Sequence, residues 1–160
     1  MTSRLPDFSR AALASLALLL AGLMVTGVAQ ATQAEHIKAS HAWLRVLPAG
    51  LPAGAYVTLE NSATAPAVLS RASSPSYTQV MLHLSADNGG TSRMSMVDAL
   101  PIPAHGEAVL APTAYHLMLT GAVHPVQAGD AVTINLTFSD GSTLPAAFRA
   151  RPANAIDAGP

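Results

Sequence analysis

Two short stretches decide how this chain folds: residues 78–85 read Thr-Gln-Val-Met-Leu-His-Leu-Ser, and residues 115–120 read Tyr-His-Leu-Met-Leu-Thr. Every second residue is apolar, and because successive side chains of a β-strand point to opposite faces, each stretch predicts a strand with one core face. The two core faces consist of Val80, Leu82 and Leu84, and of Tyr115, Leu117 and Leu119. The opposite faces carry Met81, His83 and Ser85, and His116, Met118 and Thr120. Packing alone does not explain these histidines and methionines.

The rest of the chain repeats this pattern of short alternating runs, and no stretch after residue 31 keeps a helical apolar period over three turns. Turn residues separate the runs, for example Asn88-Gly89-Gly90, Ala128-Gly129-Asp130 and Asp140-Gly141. Many short strands between turns predict an antiparallel all-β sandwich or barrel. The predicted strands are 37–46, 55–60, 68–72, 78–85, 93–97, 108–110, 115–120, 131–138 and 144–149.

The first thirty residues differ in character from the remainder. Arg4 and Arg10 precede an uncharged run over 11–29, and Ala29-Gln30-Ala31 has the small residues of a signal-peptidase site. This order predicts a cleaved signal peptide over residues 1–31, a single domain over 32–150 and a flexible tail over 151–160. The alternative is an uncleaved membrane anchor, because the run approaches the roughly 20 residues that span a bilayer. A lipid anchor is excluded, since it requires a cysteine and the chain has none.

Composition excludes several classes of function. After residue 31 the chain has six Lys or Arg against eight Asp or Glu, and no basic stripe to bind nucleic acid. Without cysteine there is neither a disulfide framework nor a thiolate metal site. A bound metal therefore has to be held by His, Met, carboxylate or backbone groups. All six histidines and four of the six methionines lie after residue 31.

Thioether sulfur combined with imidazole nitrogen is a ligand set for copper, and methionine favours Cu(I). The candidate donors are His83, Met94, His116 and Met118, with His36 and His41 as candidates for an additional Cu(II) site. Met81 and Met96 are interpreted as packing methionines, of which Met81 could shield the site and Met96 could substitute during exchange. Neutral, exchangeable ligands suit a copper carrier, whereas a blue-copper site needs a cysteine thiolate. Two alternatives stay open: a copper-dependent redox enzyme, and a metal-free exported β-sandwich binding module. No Gly-x-Ser-x-Gly nucleophile motif supports an enzyme.

The spacing of these residues resembles that of one known family. His83 is followed by ten residues and Met94, then by twenty-one residues and His116-Leu117-Met118. The same spacing marks the periplasmic copper chaperones called PCu(A)C, and the surroundings are similar from residue 37 to residue 148. The similar segments are Ala42-Trp43-Leu44-Arg45, Gly54-Ala55-Tyr56, Asn61, Ser73-Ser74-Pro75 and Tyr115-His116-Leu117-Met118-Leu119.

The resemblance implies a cupredoxin-like Greek-key sandwich with one surface Cu(I) site formed by His83, Met94, His116 and Met118. It also implies a periplasmic chaperone that is not an enzyme. Such a chaperone delivers copper to assembly of the oxidase copper A centre, or to a Sco-type thiol protein, or serves periplasmic copper handling. The chain departs from the family at Leu84 and Ser85, where members commonly have an acidic residue and a further Met or His. Its tail also lacks the His and Met that add Cu(II) binding in some members.

Overall fold

The computed structural model describes residues 31–48, 50–87 and 92–159, and this part of the chain is built almost entirely of β-strands. A short 3-10 helix over Gln33–His36 precedes them. The strands are β1 (Ile37–Arg45), β2 (Ala53–Asn61), β3 (Ala67–Ser73), β4 (Tyr77–Asp87), β5 (Ser92–Met96), β6 (Leu100–Ile102), β7 (Glu107–Leu110), β8 (Tyr115–Ala122), β9 (Ala131–Phe138) and β10 (Thr143–Arg151). The predicted all-β fold is therefore confirmed.

The strands form one continuous hydrogen-bonded sheet in the order β5-β4-β8-β2-β1-β10-β9-β3-β6. Strand β7 shares one edge of β2 with β8, β7 pairing at residues 57–60 and β8 at residues 53–55. The pairing of β1 with β10 is parallel, and the other strand pairs are antiparallel. Strand β4 lies beside β8 rather than beside β3, so distant segments of the chain become neighbours, as in Greek-key sandwiches.

The sheet bends over so that its two halves enclose one core. Strand β3 approaches β4, and β6 approaches β7, although neither pair is adjacent in the sheet order. Strands from both halves contribute fully buried side chains, among them Leu59, Leu117, Ile134 and Phe148. The core faces that alternation predicts for β4 and β8 are confirmed for five of their six residues: Leu117 and Leu119 are fully buried, and Val80, Leu82 and Tyr115 pack against the core. Leu84, near the end of β4, is only partly buried and does not belong to this cluster.

All nine strands expected from the sequence are present, with ends that differ by up to two residues. Sequence analysis missed β6, a strand of three residues that contains Pro101. Proline lacks the N–H that a ladder needs, which argues against a strand in general. Among the described strands, β6 is the last of the sheet and pairs only with β3, so Pro101 is tolerated at an edge.

Three sequence predictions concern the ends and one hairpin. The signal peptide over 1–31 lies outside the described residues apart from Ala31, and so does the turn at 88–90 between β4 and β5. Strand β10 extends to Arg151, one residue beyond the expected end of the domain. The flexibility of the tail stays a prediction. Within the described residues, no helix has the length and apolar character that crossing a membrane requires.

Candidate metal centre

Pairing of β4 with β8 places two histidines directly opposite each other. His83 and His116 are 33 residues apart in the sequence, yet they are cross-strand partners in the β4–β8 register. Their ring centroids are 5.8 Å apart, and the rings meet edge to face with an interplanar angle of 68°. The two imidazoles are therefore close enough for one metal ion to contact both after small side-chain rotations.

The two motif methionines lie on either side of this pair. Met118 is two residues beyond His116, on the same face of β8, and pairs with Met81 of β4. Met94 lies on β5 and pairs with Ser85, so it is a diagonal neighbour of His83. Diagonal partners are roughly 7–8 Å apart at Cα, a distance that a long methionine side chain spans. All four motif residues thus share one face of the sheet across β5, β4 and β8.

His116 is held in a defined orientation. Its side chain is buried, with 6% of its surface exposed, although alternation places it on the face opposite the core. Its Nδ1 lies 3.1 Å from the carbonyl oxygen of Ala114. A carbonyl oxygen only accepts, so Nδ1 is the donor in this hydrogen bond, and in the neutral tautomer that it selects the lone pair for a metal lies on Nε2. The expected surface site is therefore open on one side and buried on the other.

His83 is partly buried and lacks a complete set of hydrogen bonds. Its Nδ1 atom is buried without a hydrogen-bond partner among the described residues. Burial, followed by the nearby His116, lowers the pKa of His83, which favours the neutral ring over the charged one. An unsatisfied buried polar atom costs about 1–3 kcal/mol. A neutral imidazole with an unpaired nitrogen fits a metal ligand, because binding requires the deprotonated ring.

A cluster of two aromatic rings and one guanidinium group covers one side of the site. It consists of Trp43, Tyr56 and the Arg45 guanidinium, contributed by β1 and β2. The Trp43 and Tyr56 rings lie 4.5 Å apart, and the Arg45 Cζ atom is 5.6 Å from each ring centroid. The Tyr56 ring in turn lies 6.4 Å from the ring of His116. One row of side chains therefore crosses five strands, in the order Trp43, Tyr56, His116, His83 and Met96.

Gly54 allows Tyr56 to adopt this position. A Cβ atom at Gly54 would lie 2.5 Å from the Tyr56 hydroxyl oxygen, closer than any real contact. Gly54 is the cross-strand partner of Met118, so the Tyr56 hydroxyl lies over the strand beside a motif residue. In the sequence, Gly54 and Tyr56 are only part of the family resemblance, and no pattern predicts a role for them. A glycine inside a strand marks such a close approach, but the predicted strand 55–60 begins after Gly54, and only the structure includes Gly54 in β2.

The remaining histidines lie elsewhere. His36 and His105 line one groove, and His41 lines a different groove beside Trp43. Within the ranges that the structure describes, no three His, Cys, Asp or Glu side chains are grouped so that they could hold a metal ion. His36 and His41 line different grooves, and a second Cu(II) site that uses either of them stays a prediction. The mixed His–Met face is the candidate centre.

Comparison with known proteins gives two kinds of relative. The family model described as "Putative lipoprotein LpqE-like" matches residues 37–150. A putative lipoprotein of Leifsonia xyli subsp. xyli is 33% identical over 116 residues, which cover 72% of this chain and 69% of that protein. Because the present chain has no cysteine, a cysteine-linked lipid has no attachment residue among its 160 residues.

Solved structures share the fold. The Cu(I) form of DR1885 from Deinococcus radiodurans is 34% identical, with a TM-score of 0.60, and the match covers 81% of this chain and 84% of that one. Apo-DR1885 is 29% identical with a TM-score of 0.58, covering 95% and 97%. The copper-bound PCuAC domain from PmoF2 is 24% identical with a TM-score of 0.62, covering 73% and 93%.

The two comparisons agree with the resemblance read from the motif. The similarity to PCu(A)C proteins and the cupredoxin-like fold that it implied are both confirmed. The family match covers the strands that hold His83, His116 and Met118, together with β5 and its Met94. By its sequence this chain belongs to the LpqE-like family, and by its fold it is a PCuAC-type domain.

Proposed function

We propose that this protein is a copper chaperone that binds one Cu(I) ion through His83, Met94, His116 and Met118 and passes it to a protein acceptor. In this proposal the protein is exported to the periplasm by the signal peptide predicted over residues 1–31. It performs no chemistry on a substrate, because copper is its cargo. The acceptor is an oxidase subunit whose copper A centre is being assembled, or a Sco-type thiol protein.

One observation carries the proposal: residues 33 positions apart in the chain meet as the cross-strand pair His83–His116, with a methionine on either side. Packing of the core does not require this set, because the opposite faces of β4 and β8 already supply the apolar contacts. The unpaired Nδ1 of His83 and the oriented ring of His116 are what a metal ligand pair needs.

The chemistry of the donors favours Cu(I) over other metals. Thioethers are soft ligands that select Cu(I), whereas zinc and magnesium sites use thiolates, imidazoles or carboxylates. All four donors are neutral, so copper can bind and leave without the removal of a carboxylate or thiolate charge. Met94 is 63% exposed, which leaves that side of the site accessible to an acceptor.

The related proteins support both copper binding and export of this chain. A Cu(I) form exists for DR1885, a protein 34% identical to this chain, and a copper-bound form exists for the more distant PmoF2 domain. The lipoprotein description of the LpqE-like relatives agrees with export of this chain. Exported compartments are oxidising, and a site without cysteine cannot be lost there to disulfide formation.

The test is an anaerobic titration of the purified protein with Cu(I) against a coloured Cu(I) chelator. The parent protein should retain one equivalent of Cu(I). Met118→Leu and His83→Ala should each lower the affinity by more than about 100-fold, because even the partners of metal ligands are worth 10–100-fold. Circular dichroism should stay unchanged, since both side chains lie off the core face.

Met96→Leu is the matched control for Met118→Leu. Both substitutions remove one sulfur at nearly constant volume, which is well tolerated. Met96 lies on the same face but outside the motif. Equal losses of affinity in both variants, or a folded parent protein that retains no Cu(I), would contradict the proposed site. Loss confined to the motif variants would support it.

A further inference from the structure

Met96 occupies a special place relative to the proposed copper site. In the register of β4 with β5 it is Met96, and not Met94, that lies directly opposite His83. The backbone N–H of Val97 donates to the carbonyl of Leu82 at 3.0 Å, so Leu82 and Val97 form a hydrogen-bonded pair. The neighbouring pair His83–Met96 is therefore a non-hydrogen-bonded pair, the type in which facing side chains are closest, with Cα atoms about 4.5 Å apart.

The two sides of the proposed copper site differ in how accessible they are to an acceptor. On the β2 side, Tyr56 lies over Gly54 and packs against Trp43 with the rings tilted by 41°, beneath the Arg45 guanidinium. On the β5 side, Met96 is 67% exposed, and β5 is the last strand of the sheet order. An acceptor that approaches the His83–His116 pair over β5 therefore reaches the exposed Met96 thioether before the buried His116 ring.

We infer that Met96 is a transfer ligand, a fifth donor that binds Cu(I) transiently while the ion passes between the motif residues and an acceptor. This inference rests on the proposed function and adds a residue outside the motif. No redox change is involved: one Cu–S bond to Met96 forms as the bond to one resident ligand breaks, and the acceptor's donors then displace Met96 and the remaining resident ligands. A neutral thioether suits this role, because its bond to copper is weak enough to exchange.

Met81 provides the matched control. It is a methionine on the same face of the sheet, but it pairs with Met118 and is only half-buried rather than exposed on the edge strand. Met81→Leu and Met96→Leu each remove one sulfur at nearly constant volume. Only Met96 combines direct opposition to His83 with the open edge, so the two variants should differ in transfer kinetics.

The experiment loads the purified full protein with one equivalent of Cu(I) and mixes it anaerobically with excess coloured Cu(I) chelator in a stopped-flow instrument. Met96→Leu should lower the second-order rate of copper removal about tenfold, the effect of a transition-state interaction worth about 1.4 kcal/mol. Its equilibrium affinity should change by less than about threefold, or about 0.65 kcal/mol. Met81→Leu should match the parent in both quantities.

Methyl-carbon NMR of labelled methionine gives a readout independent of the chelator. In the loaded protein the Met94 and Met118 methyl signals should shift, and the Met96 methyl should show relaxation dispersion on the microsecond-to-millisecond scale. An unchanged transfer rate in Met96→Leu would overturn the inference. A loss of affinity equal to that of Met94→Leu would also overturn it, because Met96 would then be a resident ligand. Failure of the parent protein to retain Cu(I) would instead refute the proposed function itself.

Discussion

Gly54→Ala tests whether Tyr56 really lies over a strand that has no room for a side chain. The new Cβ atom would lie 2.5 Å from the Tyr56 hydroxyl oxygen, about 0.9 Å short of the 3.4 Å at which ordinary contact begins. The ring cannot retreat freely, because its centroid lies 4.5 Å from that of Trp43 and the Arg45 guanidinium lies over it. Either the ring or strand β2 has to shift.

The magnitude follows from two opposing effects. Overfilling a packed position costs about 1–3 kcal/mol. Replacing glycine in extended backbone recovers about 0.4–1 kcal/mol, because the unfolded chain loses freedom. We therefore expect the free energy of unfolding to fall by about 0.5–2 kcal/mol. Cu(I) affinity should also fall about tenfold as Tyr56 moves beside Met118, the usual effect of disturbing a ligand's neighbour.

The assay is a double-mutant cycle with Tyr56→Phe, measured by urea unfolding and followed by the fluorescence of Trp43, the only tryptophan of the chain. Without the hydroxyl, the nearest contact of the new Cβ is the 3.1 Å distance to ring carbon Cζ. Gly54→Ala should then be neutral or slightly stabilising, which gives a coupling energy of about 1–2 kcal/mol. An equal effect of Gly54→Ala in both backgrounds would refute the reasoning.

Three further predictions concern the apo protein. Because burial and His116 lower the pKa of His83, the unfolded chain takes up a proton first as the pH falls below about 6.5. The free energy of unfolding of the apo protein should therefore decrease as the pH falls from that value to the lowered pKa. Urea unfolding of His83→Gln should show a smaller decrease over the same pH range. An identical dependence of the unfolding free energy on pH in the two proteins would contradict this prediction. Leu117→Ala should cost about 2–5 kcal/mol because Leu117 is fully buried, whereas Met118→Leu should cost less than about 1.5 kcal/mol; similar losses would mean that the two faces are misassigned. Asn61→Ala should cost about 2–4 kcal/mol in thermal or urea unfolding, because the buried amide donates to two backbone carbonyls and accepts from one N–H. Copper affinity should be unchanged in that variant, since Asn61 is seven residues along β2 from Gly54, roughly 23 Å at the usual rise.

Local patterns in the sequence predict most of the strands and which of their faces points to the core. The period of two in residues 78–85 and 115–120 separates a core face from a donor face, and the structure confirms that separation for Leu117 and Leu119. Alternation is a local property, because each side chain's face depends only on its position along the strand. Alternation did not predict strand β6, because three residues that include a proline are too few to show a period of two. The proline is acceptable there because β6 lies at an edge of the sheet.

The sequence by itself determined the strands, their two faces, the neutral His and Met donors and the spacing that identifies the family. Only the tertiary structure decided that β4 lies beside β8 in the register that brings His83 to His116, and that Met96 rather than Met94 faces His83. It also decided that Tyr56 buries one side of the site over Gly54. The physical reason is that strand order and register are set by how the sheet closes around its core, through contacts between residues far apart in the chain, and a period of two does not specify which strand becomes the neighbour.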